Sequence, residues 1–206
     1  RIKMPKSKPS PDTKDKAEIA GYPSDVVLES AIHNILVALG ENPQRDGLKK
    51  TPKRVAKSLR ELTVGYQQDA DTLINEALFD VDYSDMVVVK DIPWYSLCEH
   101  HLLPFFGKAA VAYIPSTHIV GLSKIPKLVH LFAQRLQVQE RMTQQIAQTL
   151  QSKLKPRGVG VILEARHLCM EMRGAKSPLS PTITSTMLGC FRKDFRTREE
   201  FLNLIK

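Results

Sequence analysis

Residues 123–154 have the sequence SKIPKLVHLFAQRLQVQERMTQQIAQTLQSKL, and this stretch decides the fold. Ser123 is a suitable N-cap and Pro126 follows within one turn, so a first helix is predicted from Ser123 to a corner near Gln137. After the corner, apolar side chains recur at every fourth position, and this spacing predicts a second helix. The positions are Val138, Met142, Ile146, Leu150 and Leu154.

The segments on either side of this helix pair are predicted strands. Residues 86–89 and 108–114 precede it and are rich in Val, Ala and Tyr, with turn residues between them. Residues 159–165 and 182–188 follow it and have the same character. The order ββααββ indicates an α+β fold in which antiparallel strand pairs flank two helices.

Further helices are predicted at both ends of the chain. Apolar spacing over residues 24–40 and 51–65 predicts two N-terminal helices, the second with Thr51 as its N-cap. Thr197 and Glu200 form a capping box that predicts a short C-terminal helix.

The composition predicts one main domain preceded by a tail. Residues 1–22 are basic and contain several prolines, so we expect a flexible arm. Residues 23–206 form the predicted catalytic domain, with a helical part at 23–84 and the ββααββ part at 85–206.

Charge and cysteine content limit the function classes. The 206 residues carry a formal net charge of +8, which favours an anionic ligand such as a nucleotide or a nucleic acid. The sequence has no apolar run of the ~20 residues that cross a bilayer and no signal-peptide pattern. Three cysteines do not form a disulfide framework. We therefore expect a soluble cytoplasmic protein with no membrane partner.

Two short segments contain residues that bind metals. Cys98 and His101 lie three positions apart, so a turn or helix start would bring them to one side. Strand alternation would place His167 and Cys169 on one face. Two thiolates and one imidazole suit Zn²⁺ and leave the fourth tetrahedral position for water, as in a catalytic site.

Other interpretations of the same residues stay open from the spacing alone. Free cysteines are often small buried apolar residues, and adjacent histidines often only satisfy local hydrogen bonds. Cys190 has no adjacent histidine or acidic residue, which favours a structural role. A structural zinc site with four protein ligands would need Cys190 or a second histidine.

Several segments in order resemble GTP cyclohydrolase I. The resemblance runs from about residue 24 to the C-terminus, and the details near the C-terminus are more similar to animal and fungal members than to common bacterial ones. The segments that carry it are LCEHH at 97–101, GLSK at 121–124, QVQER at 137–141, MRG at 172–174, TPKRVA at 51–56 and TREEFL at 197–202.

The resemblance implies a fold and an assembly. The fold is the tunnelling fold, in which ββααββ subunits join their sheets into a β-barrel ring. Two pentameric rings would stack as a homodecamer with active sites between subunits. A regulatory protein partner is also possible for this family. Ring closure would remove the open sheet edges that a single chain exposes.

The resemblance also implies a zinc-dependent reaction. Cys98, His101 and Cys169 correspond to the zinc ligands. The implied reaction is hydrolysis of GTP at C8 of the guanine ring, with release of formate and rearrangement to 7,8-dihydroneopterin triphosphate. His167 is expected to protonate the ring nitrogen and His100 to assist proton transfer.

Substrate-binding residues follow from the same motifs. Glu140, with Gln139 beside it, corresponds to the guanine-binding carboxylate, since one carboxylate accepts from the exocyclic amine and the ring N–H together. Ser123 is placed at the substrate, and helix N-terminal amides near it are expected to add to the anion site. The cations implied to bind the triphosphate are Lys124, Lys127, Arg173, Arg54 and Lys57.

One residue departs from the family pattern, because Lys127 occupies a position where the family usually has arginine.

Two rival functions fit the sequence less well than this interpretation. A nucleic-acid-binding module predicts aromatic platforms and a clustered basic stripe, which 6% aromatic content and dispersed cations do not favour. A base deaminase predicts an H-x-E and P-C-x-x-C pattern, which is absent.

Overall fold

A computed structural model describes residues 25–75, 78–82, 84–177 and 180–206. In it, the two predicted helices pack on a five-stranded sheet whose strands precede and follow them in the chain. The predicted arm at residues 1–22 lies outside the described residues. The helices are α1 Asp25–Ala38, α2 Thr51–Leu62, α3 Ala70–Asn75, α4 Lys124–Ala133, α5 Gln139–Leu154, α6 Leu168–Glu171, α7 Cys190–Lys193 and α8 Phe195–Leu204. The strands are β1 Leu78–Asp80, β2 Val87–Cys98, β3 Pro104–Ile114, β4 His118–Val120, β5 Leu136–Gln137, β6 Gly158–His167 and β7 Thr182–Gly189.

The sheet topology confirms the α+β fold class and the ββααββ order. The main sheet has the strand order β5-β2-β3-β6-β7, in which β2, β3, β6 and β7 pair antiparallel. The short β5, between α4 and α5, pairs parallel with the end of β2. A separate small sheet, which the sequence patterns did not predict, pairs β1 with β4.

The first predicted strand was too short. It was predicted to end at Val89, but β2 continues to Cys98 through a register shift between Val89 and Ile92. Asp91 adopts a φ of 55° within this shift, so the extra residue is accommodated as a bulge and pairing with β3 resumes. The continuation matters because it carries the strand to the first metal-ligand segment.

Apolar side chains on both faces of the sheet hold the helices in place. Along β3, the neighbouring residues Val111 and Ala112 belong to different buried clusters, as alternation in a strand requires. One cluster joins Val111 to apolar residues of α4 and α5, including Leu128 and Ile146. The other joins Ala112 to Phe191 of α7 and Phe201 of α8, whose rings meet edge to face with centroids 5.6 Å apart.

The start of α8 differs from the predicted capping box. Asp194 is the N-cap, because its side chain accepts from the backbone N–H of Arg196. The hydroxyl of Thr197 also donates to Asp194, at 3.3 Å, so Thr197 lies inside the helix. The prediction of a terminal helix is confirmed, and its predicted cap was wrong because Asp194 supplies an acceptor earlier in the chain.

Contacts divide the chain into two units, with the division at Leu59 and Arg60 inside α2. In residues 25–59, α1 contains no buried residue, and Ala56 of α2 is buried. Residues 60–206 contain both sheets and the remaining helices. None of the described helices has the length and hydrophobicity needed to cross a membrane. The predicted boundaries at 22/23 and 84/85 stay predictions.

Removal of the Phe201 ring should destabilise the domain. Its side chain is fully buried against Phe191, so we expect Phe201→Ala to lower the free energy of unfolding by about 3–5 kcal/mol. Glu200→Ala, at an exposed position of the same helix, is the matched control and should have little effect. The measurement is chemical denaturation of both variants at one protein concentration. Similar midpoints for the two variants would show that α8 does not contribute to the core.

Candidate active site

The C-terminal ends of β2 and β6 both lie beside the start of β3, at the same end of the main sheet. The antiparallel register of β3 and β6 pairs Phe105 with His167. The turn between β2 and β3 therefore lies beside α6, which begins directly after β6. In this arrangement, the possible ligand atoms of Cys98, His101 and Cys169 all lie within 4.8 Å of one another.

The turn that follows β2 brings Cys98 and His101 to one side, as the sequence predicted. The N–H of Cys98 donates to the carbonyl oxygen of Leu103, and the N–H of Leu102 donates back to that of Cys98. Leu102 adopts a left-handed φ of 54°, which turns the chain back toward β3. The Sγ atom of Cys98 lies 3.7 Å from Nδ1 of His101 and 3.9 Å from Nδ1 of His100.

A helical turn, and not the predicted strand, places Cys169 of the second segment at the site. Strand alternation was expected to place His167 and Cys169 on one face, but β6 ends at His167 and Cys169 lies in the helical turn α6. The N–H of Met172 donates to the carbonyl oxygen of Leu168, which closes this turn. Alternation therefore does not apply, and the helical turn places the buried Cys169 near Cys98.

The chemistry of the donor set fits a zinc ion. In tetrahedral coordination, normal zinc bond lengths separate a sulfur and a nitrogen ligand by about 3.6 Å, close to the 3.7 Å between Cys98 and His101. Burial is the main reason why the pKa of the Cys169 thiol is raised, and the nearby Cys98 raises it further. A bound cation would compensate the charge of the Cys169 thiolate and so reduce the cost of ionising this thiol.

Cys190 does not belong to this group. It follows Gly189, which pairs with Gly158 at the opposite end of β6 from His167. An extended strand of this length separates the two ends by about 30 Å. Among the described residues, the group of possible ligands contains Cys98, His101 and Cys169 without Cys190, so a four-ligand site with Cys190 is not supported.

His167 lies beside the ligand group in a partly buried position. Its ring stacks on Phe105 with the centroids 4.6 Å apart, and its Nε2 lies 2.7 Å from Oε1 of Gln139. Burial lowers the pKa of the His167 imidazole, whereas Glu140 and Glu171 raise it by a smaller amount. Phe105 was not identified from the sequence, because its contact with His167 depends on strand pairing.

An ion pair joins the Cys98–His101 turn to the start of α5. The guanidinium of Arg141 donates to both carboxylate oxygens of Glu99, and this hydrogen bonding is the main reason why the pKa of Glu99 is lowered. Arg141 also donates to the side chain of Gln137 at 3.3 Å. Glu99 lies in the LCEHH segment and Arg141 in the QVQER segment, and neither segment by itself predicts that the two residues pair.

The proposed guanine-binding residues begin α5. Glu140 is exposed in the first turn of the helix and is close enough to His167 to influence its pKa. Gln139 is only 1% exposed, and its amide hydrogen-bonds to the chain itself. Its NH₂ group donates to the carbonyl oxygens of Leu163 at 3.1 Å and Thr182 at 3.0 Å.

The start of α4 differs in detail from the prediction. Ser123 is at the N-cap position, but its side chain makes no capping hydrogen bond. The backbone N–H groups of Lys124 and Ile125 donate to the carbonyl oxygens of Gly121 and Leu122. These two amides are therefore engaged within the chain, and the exposed hydroxyl of Ser123 is the group available to a ligand.

The four remaining predicted cations are exposed, and they lie on α2, on α4 and directly after α6. Arg173 follows α6 and is close enough to Cys169 to lower the pKa of that thiol slightly. Lys127 lies on α4 and lines a cavity of about 680 Å³ together with His130. Arg54 and Lys57 lie on α2, in the unit formed by residues 25–59. Their phosphate-binding roles stay predictions.

Comparison with known proteins now assigns the family. A family model described as GTP cyclohydrolase I matches residues 28–206. The chain belongs to the GTP cyclohydrolase I family. All the residues of the ligand group and of the proposed purine site lie within the matched range.

Curated relatives with the name GTP cyclohydrolase 1 agree with this assignment. A Synechococcus protein (strain JA-3-3Ab) is 56% identical over 88% of this chain and 80% of its own length. Proteins from Campylobacter jejuni (strain 81116) and Chlorobaculum tepidum are 55% and 57% identical over 86% of this chain and 94% and 80% of their own lengths. These relatives are bacterial, so the likeness to animal and fungal members stays a prediction.

A solved structure gives a weaker match. The crystal structure of the archaeosine synthase QueF-Like in the apo form is similar to 52% of this chain and 97% of its own chain, with a TM-score of 0.44 and 15% identity.

The ligand group predicts a clear difference among the three cysteines. We expect Cys98→Ala and Cys169→Ala each to abolish stoichiometric metal binding, because either change removes one of only two thiols in the group. Cys190→Ala should retain the metal, since Cys190 lies at the far end of β6. Metal content per chain, measured by elemental analysis after purification, tests this. Full metal content in the Cys169→Ala variant would contradict the ligand assignment.

Proposed function

We propose that this protein is a zinc-dependent GTP cyclohydrolase I. It hydrolyses GTP, opens the guanine imidazole ring at C8, releases formate and forms 7,8-dihydroneopterin triphosphate. This reaction is the first step of tetrahydrofolate or tetrahydrobiopterin synthesis. Membership of the family and the names of its curated relatives support the proposal. The observation that carries it is the convergence of two thiols and an imidazole beside His167 and Glu140.

Cys98, His101 and Cys169 would hold the zinc ion. When bound there with an open position, zinc supplies Lewis acidity and lowers the pKa of a coordinated water toward ~7. The ion pair between Glu99 and Arg141 supports this arrangement, because it connects the ligand turn to α5 and restricts its movement.

His167 is proposed as the proton donor to the purine ring nitrogen as the C8–N bond breaks. Its partly buried ring is held by Phe105 and Gln139, so it is oriented before substrate binds. His100 is exposed beside Cys98 and is proposed to assist proton transfer. Both residues are imidazoles, and this chemical group can donate or accept a proton near neutral pH.

Glu140 is proposed to recognise guanine through paired hydrogen bonds from the exocyclic amine and the ring N–H. Its exposure at the start of α5 leaves the carboxylate accessible. The triphosphate would be held by the hydroxyl of Ser123 and by basic side chains. These are Lys124, Lys127 and Arg173, and separately Arg54 and Lys57 are proposed as phosphate-binding cations of the unit formed by residues 25–59.

A homodecamer of two stacked pentameric rings is proposed as the working assembly, with a regulatory protein as a possible further partner. Strand β7 is an edge of the main sheet within the described chain, and Ile183 on it is 64% exposed. An edge with an exposed apolar side chain is suited to pairing with another copy. A cytoplasmic location is proposed on the basis of the free thiols at the site.

The direct experiment is incubation of zinc-loaded protein with GTP, followed by assays for formate and a pterin product. Equal amounts of the two products, lost on chelation and restored by Zn²⁺, are the expected result. Nucleic-acid binding without turnover of GTP would instead favour a basic binding module with a structural metal.

His167→Gln should separate catalysis from binding. We expect at least a ~100-fold loss of kcat, because glutamine cannot donate a proton as an imidazolium does. Zinc content and binding of GTP should be retained. His118→Gln, at a partly buried position on β4 outside the ligand group, is the control and should leave kcat unchanged. Near-normal turnover by His167→Gln would move the role to another group, first to His100.

Substitutions of Lys127 are expected to change the KM for GTP. Arginine binds phosphate oxygens with a two-pronged fork, whereas lysine is a hydrated point charge, so Lys127→Arg should lower the KM for GTP. Lys127→Ala should raise KM, most clearly at higher salt, with little change in kcat because the triphosphate does not react. Lys193→Ala on α7 is the matched control. If neither Lys127 variant changes KM, this residue is a solvated helix cation.

A further inference from the structure

We propose that Gln139 is a positioning residue that fixes the orientation and tautomer of His167, rather than a residue that binds the purine. This inference rests on the proposed catalytic role of His167. The supporting observations are the contacts of the Gln139 side chain, whose amide lies between α5, the end of β6 and the start of β7.

The chemistry of its neighbours determines which way the Gln139 amide faces. Its NH₂ group lies 3.1 Å from the carbonyl oxygen of Leu163 and 3.0 Å from that of Thr182. Both are acceptors, so only the NH₂ group can satisfy them. The reverse orientation would place the amide oxygen against two carbonyl oxygens, a contact in which none of the three atoms can donate.

This orientation assigns the proton on His167. The Oε1 atom of Gln139 carries no hydrogen, so Nε2 of His167 must be the donor in their 2.7 Å contact. The neutral ring therefore carries its proton on Nε2 and its lone pair on Nδ1. A proton can then be exchanged with the substrate only at Nδ1.

Packing keeps the ring in this orientation. The Phe105 ring is stacked on the imidazole at an interplanar angle of 16°. Rotation of the imidazole by half a turn would place a carbon atom where Nε2 now donates to Gln139, and the buried Oε1 would lose its donor. Since Gln139 is 1% exposed, no solvent replaces that hydrogen bond.

The same contacts leave Gln139 poorly suited to direct binding of guanine. Both of its N–H donors are occupied by backbone carbonyls and its oxygen accepts from His167. The neighbouring Glu140 is exposed and is the better purine ligand. The positioning role therefore predicts an effect on kcat, whereas a purine-binding role predicts an effect on KM.

A double-mutant cycle on the zinc-loaded full chain tests the proposal. Gln139→Met, which keeps the side-chain length without hydrogen bonds, should lower kcat at least about 10-fold and change KM less than about 2-fold. In the His167→Gln background the same change should alter kcat less than about 2-fold, because the residue through which Gln139 acts is already absent.

A rise in KM in both backgrounds, or independent multiplicative losses of kcat, would overturn the proposal. Crystal structures of the native protein and of Gln139→Met provide a readout that does not need turnover. The native ring should occupy one orientation with Nε2 at hydrogen-bond distance from Gln139, and the variant ring should occupy another orientation or several. An unchanged ring in Gln139→Met would refute the positioning role, whether or not the protein acts on GTP.

Discussion

The candidate site depends on the antiparallel pairing of β3 with β6. This pairing runs from Phe105 opposite His167 to Ile114 opposite Gly158, so it joins the start of one strand to the end of the other. A slip by one residue would turn His167 to the opposite face of the sheet. Two different apolar clusters oppose such a slip, because each face of these strands is buried against its own pair of helices over part of its length.

Against this fixed sheet, the first turn of α5 presents three consecutive side chains in three directions. Each residue of an α-helix is rotated by about 100° from the one before it. Gln139 therefore faces inward to β6 and β7, Glu140 faces solvent, and Arg141 reaches Glu99 in the ligand turn. One helical turn thus contacts His167 through Gln139, exposes the proposed guanine-binding residue Glu140 and contacts the turn of the candidate metal ligands through Arg141.

Local patterns in the sequence were sufficient for the ββααββ order and for the pairing of Cys98 with His101. Both depend on spacing within a few residues, which periodicity and turn geometry describe. The path of β2 through Asp91 and the helical turn at Cys169 were not predicted, because a bulge and a strand end depend on the neighbouring strands. The contacts of Gln139 with residues 24 and 43 positions away leave no local pattern at all.

The different contacts of these three α5 side chains limit the changes in chain length that this region can accept. Insertion or deletion of a single residue within the first turn of α5 would rotate the side chains that follow it by about 100° relative to those before it, so that Gln139, Glu140 and Arg141 could not all keep their present partners. The chain length from β5 into α5 is therefore constrained even though part of this segment is exposed. A point substitution of the exposed Glu140 leaves this helical register intact, whereas a change of length within the turn does not.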